Sequence, residues 1–129
     1  MITEDYVSFE TAKLLKEKGF DESCSRSYVK DKLAYSQGFN NSYYMIMYTD
    51  ETYRPISAPT LQMVMKWLRE VHNKSIEVRS QGLKSTGLGW VTEIYNLKNQ
   101  DEEYNNPFTQ PSYEEACEAA IRYTLENLI

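Results

Sequence analysis

The chain has 129 residues, of which 14 are Lys or Arg and 19 are Asp or Glu, giving a formal net charge of −5. Its length suits a single globular domain, residues 1–129, that needs no disulfide or metal to fold. The negative charge, with no two basic residues adjacent, argues against nucleic-acid binding, because such binding needs a concentrated basic face to displace the counterions of phosphates.

The first helix is predicted between Ser8 and Gly19. Ser8 can cap its N-terminus, and a glycine followed by apolar Phe20 is typical of a left-handed helix end. Its apolar side would consist of Ala12, Leu14 and Leu15.

Two segments of the first half favour strands. Ser25 to Tyr35 mixes strand-forming residues with charges, and we interpret it as a strand. Ser42 to Thr49 carries apolar or aromatic residues on both of its faces, which predicts a central strand.

The second helix is predicted to start at Pro59, because proline suits the first helical position, where its missing N–H is not needed. Asn73 is an acceptable terminator. The apolar residues recur at helical spacing: Leu61, Val64, Met65, Leu68 and Val71.

A β-hairpin is predicted next, from Ser75 to Arg79 and from Leu88 to Leu97. The second strand places these residues on alternate faces: Trp90 and Ile94 on one, and Val91, Tyr95 and Leu97 on the other. The glycine-rich segment Gly82 to Gly89 has no glycine directly before Lys84 and precedes a strand instead of a helix. It therefore predicts a hairpin turn and not a phosphate-binding loop.

The last third of the chain is predicted to contain a polar loop and a helix. Asn99 to Pro111 is rich in acidic residues, asparagine and proline, which favours a loop. The third helix begins with the capping box Ser112 to Glu115. Its core stripe would comprise Cys117, Ala120, Ile121, Thr124, Leu125 and Leu128.

The element order α-β-β-α-β-β-α predicts an α+β fold, with a three- to four-stranded, mainly antiparallel sheet and three helices packed mainly on one face. No stretch is long and apolar enough to cross a bilayer, and the N-terminus does not resemble a signal peptide. We therefore expect a soluble, cytoplasmic protein with no membrane partner, in which Cys24 and Cys117 are free thiols.

The residue types offer little for catalysis. His72 is the one histidine, and it suits the end of a helix better than a metal site, which needs several converging ligands. We expect no catalytic residue, no cofactor and no metal, and we favour a non-enzymatic protein.

Aromatic residues are the candidates for a binding surface. Tyr43, Tyr48, Trp90 and Tyr95 would form an exposed patch if the sheet face away from the helices is open. The alternative is that these aromatic side chains complete the core.

Three segments, Tyr6 to Phe20 with Cys24, Ala58 to His72 and Tyr113 to Ile129, resemble small hypothetical proteins encoded by prophages and mobile elements of gut Bacteroidales. The resemblance covers the three predicted helices, about a third of the chain. It implies a bacterial or phage cytoplasmic setting and carries over no activity, cofactor or catalytic residue.

The leading hypothesis is an interaction module of a phage or mobile element that binds another protein, or itself as a homodimer, through the aromatic sheet face. A second is an acidic inhibitor that mimics nucleic acid and blocks a host enzyme, which would align the carboxylates of Asp101 to Glu103 with those of the helix surfaces. A third is a small enzyme using Cys24 or His72, whose side chains would have to meet other reactive groups in a pocket.

Overall fold

The computed structural model describes residues 1–35, 54–83 and 87–129, which fold as two compact units, Met1–Thr60 and Leu61–Ile129. The α+β class is confirmed. The described residues form three helices and two antiparallel sheets of three strands each, where the sequence predicted a single sheet. The assignment of residues 1–129 to one domain stays a prediction.

The first unit contains one helix and one sheet. Its elements are α1 (Phe9–Glu17), β1 (Arg26–Val29), β2 (Lys32–Tyr35) and β3 (Ile56–Ser57), with the strands in the order β2-β1-β3.

The capping signals of α1 are confirmed. The Ser8 hydroxyl accepts a hydrogen bond from the Thr11 N–H at 3.2 Å, which satisfies one of the free donors at the helix start. Gly19 has a φ of +91°, and the Phe20 N–H donates to the Leu15 carbonyl at 2.9 Å. Phe20 is buried against the unit, as the left-handed terminus predicted.

The segment predicted as one strand, Ser25 to Tyr35, is a hairpin of two strands. Lys30 adopts a φ of 60° between β1 and β2, which turns the chain back on itself. Strand β3 was not predicted, because two residues are too few to give a periodic pattern. The predicted central strand, Ser42 to Thr49, lies outside the described residues.

The second unit contains two helices and a continuous antiparallel meander. Its elements are α2 (Leu61–His72), β4 (Lys74–Leu83), β5 (Gly87–Asn96), β6 (Glu102–Gln110) and α3 (Tyr113–Asn127), with the strands in the order β4-β5-β6.

Helix α2 differs from its prediction at its start and on its buried face. The helix begins at Leu61, two residues after Pro59. Val71 is 54% exposed, and Trp67, 7% exposed, takes its place in the core. The predicted terminator is confirmed, since Asn73 adopts a left-handed φ of 58°.

The predicted hairpin is confirmed as β4 and β5, which pair continuously from Lys74 opposite Asn96 to Leu83 opposite Gly87. The turn residues 84–86 lie outside the described residues.

The polar loop predicted from Asn99 to Pro111 is wrong for most of its length, because β6 occupies it. Pairing with β5 satisfies its backbone, and the ring of Tyr104 stacks on Tyr123 of α3 at 3.8 Å between centroids. These contacts come from residues distant in sequence, so the polarity of the segment itself could not predict the strand.

Helix α3 covers one face of the sheet. The Ser112 hydroxyl accepts from the Glu115 N–H at 3.1 Å, as the capping box predicted. Five of the six predicted core residues are buried, namely Cys117, Ala120, Ile121, Thr124 and Leu125. Leu128 is half-buried. No helix among the described residues is long and apolar enough to cross a membrane.

Candidate functional site

The two faces of the second sheet differ in character. Strands β4 and β5 pair without a bulge, so alternate residues share a face. One face carries Ile76 opposite Ile94, both buried, and packs against α3. The other face carries Ser75 opposite Tyr95 and Glu77 opposite Glu93.

A concavity of about 560 Å³ opens on the face away from α3. We call this surface the acidic concavity and define it by five of the side chains that line it: Glu77, Arg79, Glu93, Tyr95 and Leu97. Leu97 is exposed, so the surface combines an apolar contact with charged groups.

Glu93 is the centre of the hydrogen-bond network in the acidic concavity. The Tyr95 hydroxyl donates to Glu93 Oε2 at 2.6 Å. Arg79 donates to Glu93 Oε1 from Nε at 3.4 Å and from Nη2 at 3.3 Å. Both distances exceed the roughly 2.7 to 2.9 Å of a strong charge-assisted hydrogen bond, so Arg79 holds this oxygen loosely.

These contacts shift the pKa values of both partners of the short hydrogen bond. Donation to the Glu93 carboxylate raises the pKa of Tyr95 to about 12, because losing the proton would place two negative charges together. The same hydrogen bond, together with Arg79, lowers the pKa of Glu93. Glu93 is therefore a carboxylate, and Tyr95 a neutral donor, at neutral pH.

The two glutamates of the concavity face each other directly across β4 and β5. The Ser75 hydroxyl donates to Glu77 Oε1 at 3.1 Å, which orients the second carboxylate. Like charges directly opposite each other in an antiparallel pair are destabilising. Two carboxylates and one guanidinium leave these three side chains with a net charge of −1.

Of the four aromatic residues predicted to form a binding surface, Tyr95 lines the acidic concavity. Trp90 lies on the opposite face, with its ring 5.4 Å from that of Tyr113 in α3. Tyr43 and Tyr48 lie outside the described residues.

The charged residues of the concavity were missed as a group by the sequence analysis. Glu77 and Arg79 stand two residues apart in β4, and Glu93 and Tyr95 stand two residues apart in β5. This spacing places each pair on one strand face, and it is the sequence signal from which the two pairs could have been predicted. Their meeting across the hairpin depends on the register, which the sequence alone did not fix.

Cys24 and His72 each have local partners within their own unit. The Cys24 thiol donates to the Glu22 carbonyl at 3.4 Å, and burial raises its pKa, so it is a thiol and not a nucleophilic thiolate. The His72 ring lies 4.6 Å from the Trp67 ring at the end of α2. Within the described residues, no three His, Cys, Asp or Glu side chains form a cluster that could hold a metal ion.

The acidic run from Asp101 to Glu103 does not form a uniform stripe. Glu103 is ion-paired with Lys74. Glu102 is the cross-strand partner of Tyr95, whereas the Glu103 side chain reaches Lys74, so these two acidic residues have different neighbours.

Comparison with known proteins gives no match: no protein-family model, no curated protein and no solved structure is similar to this chain.

Proposed function

We propose that this chain is a non-enzymatic protein-interaction module whose acidic concavity binds a basic residue of a partner protein. The observation that carries the proposal is that two glutamates, Glu77 and Glu93, are direct cross-strand partners in a lining whose single cation is Arg79. A second cation entering the concavity would neutralise the negative charge that remains on these three side chains, and this charge complementarity would favour a basic partner.

The shape of the surface favours an arginine or lysine with an apolar neighbour. Arg79 is 60% exposed and can swing away from Glu93 Oε1. The incoming cation would take that oxygen, while the apolar neighbour packs on the Tyr95 ring and on Leu97.

The proposed setting is the cytoplasm of a bacterium that carries a phage or mobile element. Its support is the sequence resemblance and the sequence itself, and the interaction proposed for the concavity does not depend on it.

Photo-crosslinking from the concavity tests the proposal. The photoreactive residue benzoylphenylalanine replaces Tyr95 in one full-length variant and Val71, exposed on α2, in a control variant. After irradiation in a lysate of the native cells, we expect a discrete adduct from position 95 that is absent from position 71. A second copy of this chain in the adduct would identify the partner as the protein itself.

The purified partner then decides whether charge is the basis of recognition. We expect Glu93→Arg to weaken its binding and a basic-to-neutral change at the crosslinked segment of the partner to do the same. Equal adducts from positions 71 and 95, or unchanged binding by Glu93→Arg, would show that the concavity is not the binding surface.

A further inference from the structure

A second surface, on the first unit, is built around one arginine. The guanidinium carbon of Arg26 lies 3.6 Å from the ring centroid of Tyr35 and 5.6 Å from that of Tyr6. Both distances fall within the range of a cation–π interaction. We call Tyr6, Arg26 and Tyr35 the tyrosine–arginine cluster.

The fold holds all three residues in place. Arg26 and Tyr35 are direct partners in the β1–β2 pair, so their side chains share a face. Tyr6 forms a bridge with Thr60, and the next residue, Val7, accepts a hydrogen bond from the Tyr28 hydroxyl at 2.7 Å. Backbone pairing therefore positions the three residues of the cluster next to one another.

The stacking leaves the hydrogen-bonding groups of Arg26 available. A guanidinium contacts rings through its faces, and its N–H donors point outward in its own plane. Among the described residues, no carboxylate lies within ion-pair distance of Arg26. Beside it, Tyr35 is 66% exposed and Leu33, two residues earlier on the same strand face, is also exposed.

We propose that the tyrosine–arginine cluster docks an acidic peptide segment of a partner protein. A carboxylate of the segment would accept two parallel N–H donors from Arg26, and an adjacent apolar side chain would cover Tyr35 and Leu33. Because stacking on the rings already restricts the Arg26 side chain, less conformational entropy is lost when the segment binds.

A peptide fits the surroundings better than a nucleic acid does. Among the described residues of this unit, Lys13 also lies over an aromatic ring, but it is already paired with Glu10 at 3.0 Å. A polyanion needs several phosphate contacts for useful affinity at physiological salt, whereas one carboxylate needs one arginine.

The proposal is independent of the acidic concavity, because the two surfaces belong to different units and bind groups of opposite charge. An experiment can therefore refute one of the two proposals and leave the other standing.

Calorimetric titration of the full-length chain tests it. The probe is a capped peptide that alternates glutamate and leucine; its matched control carries glutamine in place of glutamate, and a single-stranded oligothymidine of about ten nucleotides represents the alternative class. We expect the glutamate peptide to bind and the glutamine peptide to bind at least about tenfold more weakly, the factor typical of a hydrogen bond to a charged group.

Variants assign the effect to the cluster. We expect Arg26→Gln to weaken peptide binding at least about tenfold, and Arg54→Gln, which removes an exposed arginine of the same unit, to leave it unchanged. Arg26→Lys keeps the charge without the planar fork, so it should also weaken binding, and it decides the matter if Arg26→Gln does not fold in a thermal melt. The proposal is overturned by equal binding of both peptides, by equal effects at positions 26 and 54, by tighter binding of the oligothymidine, or by no peptide binding.

Discussion

The ionisation of Tyr95 is altered by the neighbouring Glu93 carboxylate. Its pKa is about 12 against an ordinary 10.0 because its hydroxyl donates to the Glu93 carboxylate. We expect Glu93→Gln to lower the Tyr95 pKa toward 10.0, since a neutral amide no longer opposes the phenolate. Titration of ¹³C-labelled tyrosine by NMR measures the pKa of Tyr95 in both proteins. Tyr113, whose pKa is raised by burial, is the internal control and should not move.

The sign of the associated stability effect follows from the raised pKa. The folded chain holds the Tyr95 proton more tightly than the unfolded chain, so this hydrogen bond stabilises the fold below about pH 10. The contribution is lost as pH rises through about 12. A Tyr95 pKa that stays near 12 in Glu93→Gln would remove Glu93 as the cause.

The two cysteines should differ in reactivity. Cys117 is fully buried, which raises its pKa to about 11, whereas Cys24 is half-buried. Because the thiolate is the reactive form and must be reached by reagent, we expect one alkylation of the native chain, at Cys24, and two after denaturation. Intact mass gives the count, and Cys24→Ser should abolish the native adduct. A mass that indicates a closed disulfide would contradict the expectation of free thiols.

Helix α2 carries one buried and one exposed apolar residue that make a matched pair. Leu68 is fully buried and Val71 is exposed. We expect Leu68→Ala to lower the free energy of unfolding by about 2 to 5 kcal/mol through lost burial and a residual cavity. Val71→Ala should change it by less than about 0.5 kcal/mol. Denaturant unfolding of both variants is the measurement, and equal midpoints would reverse the assignment of the buried face.

Two glycines of the β4–β5 hairpin make a similar pair. A Cβ atom at Gly89 would lie 2.5 Å from Thr109 Cβ, while one at Gly82 would meet nothing within 4 Å. Gly89→Ala must push β5 and β6 apart, and we expect a loss of about 1 to 3 kcal/mol in the free energy of unfolding. Gly82→Ala should be neutral or stabilising by up to about 1 kcal/mol. Thermal melts of the two variants distinguish them, and a destabilised Gly82→Ala with an unchanged Gly89→Ala would refute the close contact.

The features that the sequence predicted well are local ones. Ser8 and Ser112 cap their helices because each side chain bonds a backbone N–H three residues along, which neighbouring residues alone determine. Strand β6 was missed because its pairing with β5 and the stacking of Tyr104 on Tyr123 come from elsewhere in the chain. The exchange of Val71 for Trp67 in the core has the same origin, since helical spacing defines an apolar stripe and packing decides its rotation.

In the candidate sites, too, the sequence predicted local features and missed contacts between distant residues. Tyr95 was identified from its residue type, and Glu93 lies on the same strand face. Placing Glu77 opposite Glu93 requires the hairpin register, and placing Arg26 beside Tyr6 requires the packing of a separate segment. Charge and aromatic content can therefore be predicted from sequence, but the contacts that make a surface cannot.

For the whole molecule, the net charge of −5 predicts no appreciable binding to duplex DNA at physiological salt. The arrangement most able to contradict this is the basic set Lys66, Arg69, Lys74 and Arg79. Three of the four are ion-paired: Lys66 with Glu70, Lys74 with Glu103 and Arg79 with Glu93. Titration of labelled duplex at about 150 mM salt is the measurement, with a neutral Arg69→Gln variant as the control. Saturable micromolar binding that Arg69→Gln removes would show that the set acts as a patch.

The ion pair between Lys74 and Glu103 has a consequence for how the second sheet opens. It joins β4 to β6 across the intervening β5, and both side chains are largely buried. If β6 alone were released, Lys74 would lose its ion-pair partner, which adds to the cost of opening this edge of the sheet. The two outer strands of this meander are thereby coupled, so their backbone amides should exchange with solvent in one cooperative event instead of fraying separately from the edges.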